Sequence, residues 1–279
     1  MMVWTVIGLY LLFIVVLHIP IVQEKIGTVT AAAISQKLGT KVSIGKIDLG
    51  FFNRLIIDDA ILYDKKGKKM VLSARLSVKL SILSFLKDGL IDISSAQVFG
   101  THIRLYQATA QSQPNYQFVL DSLASKDTTT KNPIRLNINS FLIRHSSISY
   151  DLNFKPQTQG MLNPAHLKIT DISANIQLKH LEPDSINLTV QKLACKEQAG
   201  MEVNKLSLCF AGGRNSCKLT DMKLLLPHST LQVPFITLTY RKQGKNIDPQ
   251  SLHYSGEIGK SILSSNDLVA MHSALKPLQ

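Results

Sequence analysis

The chain has 279 residues, of which 45% are hydrophobic but only 6% aromatic, and 31 Lys and Arg against 19 Asp and Glu give a formal net charge of +12. The few aromatics do not interleave with the basic residues as a base-stacking platform requires, which sets nucleic acid aside as a partner. A dense supply of Ile, Leu, Val, Ser and Thr is the palette of strands, and the length permits one or two domains with a sizeable core, so a mainly β body is expected.

Residues 1–23 contain no Asp, Glu, Lys or Arg, and the run VWTVIGLYLLFIVVLHIPIV is about as long as a helix needs to cross a bilayer. A cleaved secretory signal would show a basic start, a shorter apolar centre and a small-residue cleavage site. None is present here, so residues 1–23 are expected to be an uncleaved transmembrane anchor. Lys25, Lys37 and Lys41 all follow the run; counted alone they place the body inside, but that rule weakens for long translocated domains. His18, beside Pro20 at the end of the run, is expected at the membrane interface.

After the anchor, residues 24–126 are expected to form a first β-rich subunit with short helices. Ile26, Val29, Ala33 and Leu38 recur at near-helical spacing before Gly39, which predicts a short amphipathic helix over 23–38 with those residues as its apolar face. The period then changes to two through Val42, Ile44, Ile47 and Leu49, through 55–63, and through Ala74, Leu76, Val78 and Leu80. Between the last two, Asp64-Lys65-Lys66-Gly67-Lys68-Lys69 is expected to be a solvated hairpin turn rather than a phosphate contact. One or two helical turns are expected over 81–88 and a brief helix over 116–123. Residues 127–133 are polar and linker-like.

From residue 134 to 279 the same alternation repeats with turns every 10–15 residues, as in a sandwich, a barrel or a long open sheet. Nothing in the chain assembles a nucleophile, a base and an orienting group, and no G-x-S-x-G, Walker or H-E-x-x-H motif occurs. A non-enzymatic protein without catalytic, cofactor or metal residues is expected. Asp58 and Asp59 point to opposite faces of a strand and are expected to be solvated. Cys195, Cys209 and Cys217 lack zinc-ligand spacing and are read either as one disulfide with a free thiol or as small buried hydrophobes.

The segments LGTKVSIGKIDLGFFNRLIIDDAILYD, VFGTHIRLYQ, NYQFVLDSL, KITDISANIQLKHL, EQAGMEVNKLSLCFAG and LTDMKLLLPHSTL, following an apolar run and PIVQEKIG, resemble the amino-terminal region of TamB-like proteins of the AsmA-like superfamily, in the form found in Bacteroidetes-type bacteria. The resemblance implies a single inner-membrane span with the body in the periplasm, and an elongated, curled antiparallel β-sheet forming a β-groove. It implies movement of phospholipid between inner and outer membranes or, as the alternative, a scaffold of a translocation and assembly module that helps outer-membrane protein insertion or secretion with an Omp85-type partner. Family members are far longer, so the chain is expected to be truncated at its carboxy terminus. The candidate lipid-groove lining is Leu136, Ile138, Ile172, Ile176, Leu178, Ile186, Leu188, Val190, Leu206, Leu208, Phe210, Leu224 and Leu226.

Overall fold

A computed structural model describes residues 15–16, 19–50, 54–80, 91–124, 134–158, 162–182, 185–243 and 246–271. The described chain is mainly β, with few helices and open antiparallel sheet. It divides into two compact units, the first comprising Met1–Leu136 with Asp151–Phe154 and the second Asn137–Tyr150 with Lys155–Gln279.

The first unit opens with α1 (Pro20–Leu38). Pro20 suits the first helical position because its missing N–H is not needed there, and Gly39 closes the helix in the left-handed conformation at φ 61°, its N–H donating to the Ser35 carbonyl. Strands β1 (Val42–Ser43), β2 (Lys46–Gly50), β3 (Arg54–Tyr63), β4 (Lys69–Leu80) and β5 (Ile91–Gln107) follow, then α2 (Gln117–Ala124). Both β1 and β2 pair antiparallel with β3, which pairs with β4, which pairs with β5. The expected helical turns over 81–88 and the expected linker over 127–133 lie outside the described residues.

The expected face of α1 is reversed. Gln23, Gly27 and Ala31 face inward, and Ala31 joins Ile44 and Ile47 in a small core with Val42, Leu55 and Ile57 against it. Ile26, Val29 and Ala33, expected inside, are exposed, and only Leu38 of that set is half-buried. The cause is close approach: a Cβ on Gly27 would stand 3.4 Å from the Gly45 carbonyl, the Ile44 Cγ2 and the Lys46 Cα, so small residues are what this contact admits. Among the described residues no helix is long and apolar enough to cross a membrane. Most of the expected anchor, residues 1–14 and 17–18, lies outside the described residues.

The second unit contains β6 (Ile134–Leu152) over its residues 137–150, β7 (His166–Glu182), β8 (Ser185–Glu197), β9 (Glu202–Gly212), β10 (Ser216–Leu225), β11 (Thr230–Thr239) and β14 (His253–Glu257), paired in that order. Its described residues also hold a separate hairpin of β12 (Lys242–Gln243) and β13 (Asn246–Ile247), a 3-10 turn at Pro249–Ser251 and a helix α3 (Ser265–Met271). That helix is tied back to the β10–β11 turn: the buried Asp267 accepts from the His228 N–H at 3.0 Å and lies 3.2 Å from its Nδ1, and Ser264 N–H donates to Ser229 Oγ at 2.9 Å.

Several strands carry one left-handed residue in mid-run: Asp59 in β3, Gly100 in β5, His145 in β6, Asp171 in β7 and Asp221 in β10, with φ between 48° and 59°. Asp and His tolerate this region better than branched residues do. By the flanking pairs, Asp59 in β3 and Gly100 in β5 lie level with Ala74 of β4 between them, so the two left-handed residues share one line across the strands. In β10, Asp221 stands opposite Pro234 of β11, a position that asks no ladder hydrogen bond of proline.

Candidate functional site

Strand pairing in the second unit sorts its side chains into two unlike faces. Directly paired residues of an antiparallel ladder project to the same side. One row therefore runs Leu178, Leu188, Phe210, Leu219 and Ile236 from β7 to β11. A second runs Ala174, Leu193, Leu206, Leu224 and Leu231, and between them Ile176, Val190 and Leu208 align over three strands. The reverse face carries Gln177, Thr189, Cys209 and Thr220, and then Asn187, Ala211, Lys218 and Thr237.

These rows stay in line only because the strands are irregular. From Thr220 to Lys223 the β10 strand advances three residues while β9 advances two, so Leu219 and Leu224, an odd number apart, meet Phe210 and Leu206 on one face. A similar extra residue lies between Val190 and Leu193 of β8, and another around Asp171 in β7. Such bulges reset the alternation.

The apolar face is not sealed. The leucines, isoleucines and valines of the three rows are half-buried, Ile236 is 43% exposed, and only the small Ala174 among them is buried. Among the described residues no large side chain is fully buried. Five strands at about 4.8 Å span about 19 Å, close to the ~15 Å that one leaflet's acyl chains occupy in a bilayer.

Of the expected lining residues, Ile176, Leu178, Ile186, Leu188, Val190, Leu206, Leu208, Phe210 and Leu224 fall on this face, and Ile172 shares it by alternation with Ala174. Leu226 does not belong to a strand. It opens the β10–β11 turn, where its N–H donates to the Ser229 carbonyl, and it is buried. Leu136 and Ile138 lie on β6 with side chains outside the described residues. Leu193, Leu219, Leu231 and Ile236 complete the rows without having been expected there, because each lies beyond a reset of the period. The recurring Thr-Asp pairs at 170–171 and 220–221, polar breaks inside apolar strands, are the signal that locates two of those resets.

In the first unit the polar groups are structural. Asp58, expected in solvent, is buried and accepts from Arg75 Nε at 2.6 Å and Nη2 at 3.1 Å, with Lys46 Nζ at 3.6 Å. The hydrogen bond from Arg75 holds its carboxyl below the ordinary value, against the opposing effect of burial. The lysine-rich turn is the solvated hairpin expected, with residues 65–69 exposed between the paired β3 and β4, and only Asp64 in it is buried. Asp64, 2% exposed, accepts from the N–H groups of Lys66 and Lys68 at 2.9 and 2.8 Å and from Tyr106 Oη–H at 2.7 Å. Lys65 Nζ donates to the carbonyls of Leu38 and Gly39 at the end of α1 and stands 5.0 Å from the centre of the Phe118 ring. A cavity of about 580 Å³, lined by Lys37, Lys66, Tyr106, Asn115, Phe118 and Asp121 among others, opens beside this turn.

Burial alone would raise the Asp64 pKa, but the hydrogen bonds from Tyr106 and from the two turn amides outweigh it and lower it. Burial, and then the bond to Asp64, push Tyr106 up to about 12. A depressed carboxyl adds stability that is present above its unfolded pKa and lost as pH falls through the folded value. Asp64→Asn is therefore expected to cost about 2 kcal/mol at neutral pH, the range for hydrogen bonds to a charged group. It should also flatten the loss of stability below the ordinary carboxylate pKa, both seen in denaturant unfolding across pH 2–7.

Among the described residues no group of three or more His, Cys, Asp or Glu is placed to hold a metal. The three cysteines are unpaired and half-buried, and burial raises the Cys195 thiol. No protein-family model matches this chain, and no curated protein matches it either.

Proposed function

We propose that the chain is an inner-membrane-anchored periplasmic protein whose β-sheet carries phospholipid acyl chains along an apolar groove on the way between inner and outer membranes. The observation that carries this reading is the pair of five-strand apolar rows that remain open to solvent, opposite a mixed face on which Gln177, Thr189, Thr220, Asn187, Lys218 and Thr237 stand with Cys209, Ala211 and Phe235. A sandwich would close such rows against a second sheet, whereas an open row offers tails an environment like a protein interior with no covalent step. The uncharged run at residues 1–23 and the resemblance to TamB-like proteins support the membrane and compartment.

The test is photo-crosslinking in the full chain in its envelope. Photoreactive residues at Ile176 and Leu188 are expected to trap phospholipid, and at Gln177 and Thr189 on the reverse face to trap none. Protein adducts without lipid, equal on the two faces, would sink the proposal.

A second reading, a scaffold for outer-membrane protein assembly with an Omp85-type partner, draws on the last strand. All five residues of β14 are exposed, and an exposed strand edge invites pairing with another chain. Recovery of a stoichiometric outer-membrane partner that is lost when Ser255 is replaced by proline would favour it.

A further inference from the structure

The outward face of α1 is the least explained surface of the first unit. Ile21, Lys25, Val29, Ala32 and Gln36 follow one another at spacings of three and four along that face, flanked by Ile26 and Ala33, and every one is exposed. Ile21 is 75% and Val29 64% exposed, while the inward face is Gln23, Gly27 and Ala31. Glu24, Thr28 and Lys37 are exposed on the helix as well, so its large apolar residues stand among polar ones on the outside while none of them is buried against the sheet.

We propose that this face lies in the headgroup and upper acyl region of a lipid bilayer, making α1 an in-plane interfacial helix that sets the edge of the first sheet against the membrane; the inference rests on the membrane-anchored reading above. Three observations favour lipid over a protein occupant. In sequence the face follows directly on the uncharged run of residues 1–23, whose described members Val15, Val16 and Ile19 are themselves exposed. Its polar members suit an interface: Lys25 has a long apolar stem that can carry its ammonium out to phosphate level, and Lys25 and Lys37 outnumber the one acid of α1, Glu24. Two of the helix hydroxyls are satisfied without water, Thr28 Oγ1 donating to the Glu24 carbonyl at 2.9 Å and Ser35 Oγ to the Ala31 carbonyl at 2.7 Å. At 19 residues α1 runs about 28 Å, enough for five turns of contact with a surface.

The chain's one tryptophan, Trp4, lies in the apolar run and reports the anchor separately. The full chain is reconstituted in phosphatidylcholine vesicles with a minority of phosphatidylglycerol, with or without brominated acyl chains, as three single-tryptophan forms: native, W4F with V29W, and W4F with K66W. The expected result is quenching by brominated lipid at position 29 approaching that of Trp4, with blue-shifted emission, and none at position 66. Quenching at Trp4 with water-like, unquenched emission at position 29 overturns the inference and leaves the anchor standing. Blue-shifted but unquenched emission at position 29 overturns it in favour of a protein cover, such as a second copy of the chain. Quenching at position 29 without quenching at Trp4 upholds the interfacial helix and removes the spanning anchor; no quenching at either position overturns both.

Discussion

An aspartate at Leu188 or Phe210 is expected to lower phospholipid transfer between vesicles on the order of a hundredfold while leaving the sheet folded. Both residues sit in the middle of the row from Leu178 to Ile236, so a tail lying along that row meets the new carboxylate whichever end it enters from. Leaving a charge against an acyl chain costs several kcal/mol if it stays ionised, and about 2.7 kcal/mol is already a hundredfold in affinity. The cost to the fold is smaller. Each side chain is only half-buried, so the loss is that of cross-strand pairs, about 1–2 kcal/mol. The control is Thr189→Asp, one residue along β8 and on the reverse face. Fluorescent-lipid transfer and thermal unfolding measured together separate the outcomes: equal losses of transfer at positions 188 and 189 would remove the distinction between the faces, and with it the groove.

The physical basis of that face was partly visible along the chain. Where a strand runs without interruption, as in β9, period two places Leu206, Leu208 and Phe210 together, and the ladder puts them on one side. Leu219 and Leu231 escaped the same reasoning because Asp221 takes a left-handed conformation opposite Pro234, and alternation starts afresh on either side of it. Such a reset is a property of a pair of strands, and the partner of a given residue is not written beside it. The same holds for Asp58. Its neighbour Asp59 is exposed and left-handed, and the guanidinium that makes Asp58 a buried group comes from Arg75, 17 residues on and across the ladder. Helical spacing, too, identified α1 without saying which side would be covered. Hydrophobicity favours Ile26 and Val29 as the inner face, and steric approach chose Gly27 and Ala31.

That choice makes Gly27 the residue on which the placement of α1 depends, and two substitutions there are expected to move stability in opposite directions. A methyl group at Gly27 would meet Ile44 Cγ2, the Gly45 carbonyl and Lys46 Cα at 3.4 Å, ordinary contact distance. Gly27→Ala therefore fits, and it removes the entropy that glycine loses in a helix interior, worth up to about 1 kcal/mol. Gly27→Leu adds three carbons beyond that methyl group where the nearest atoms include backbone of the β1–β2 connection, which cannot rotate aside as a side chain can. Overpacking of that kind costs about 1–3 kcal/mol, and here it also lifts Ala31 from Ile44 and Ile47, which form the small core beneath the helix. Chemical denaturation should place Gly27→Ala at or above the native chain and Gly27→Leu about 3 kcal/mol below it. If leucine were tolerated as well as alanine, α1 would not be seated on β1 and β2 through its small residues, and the outward display of Ile21, Ile26 and Val29 would lose its structural cause.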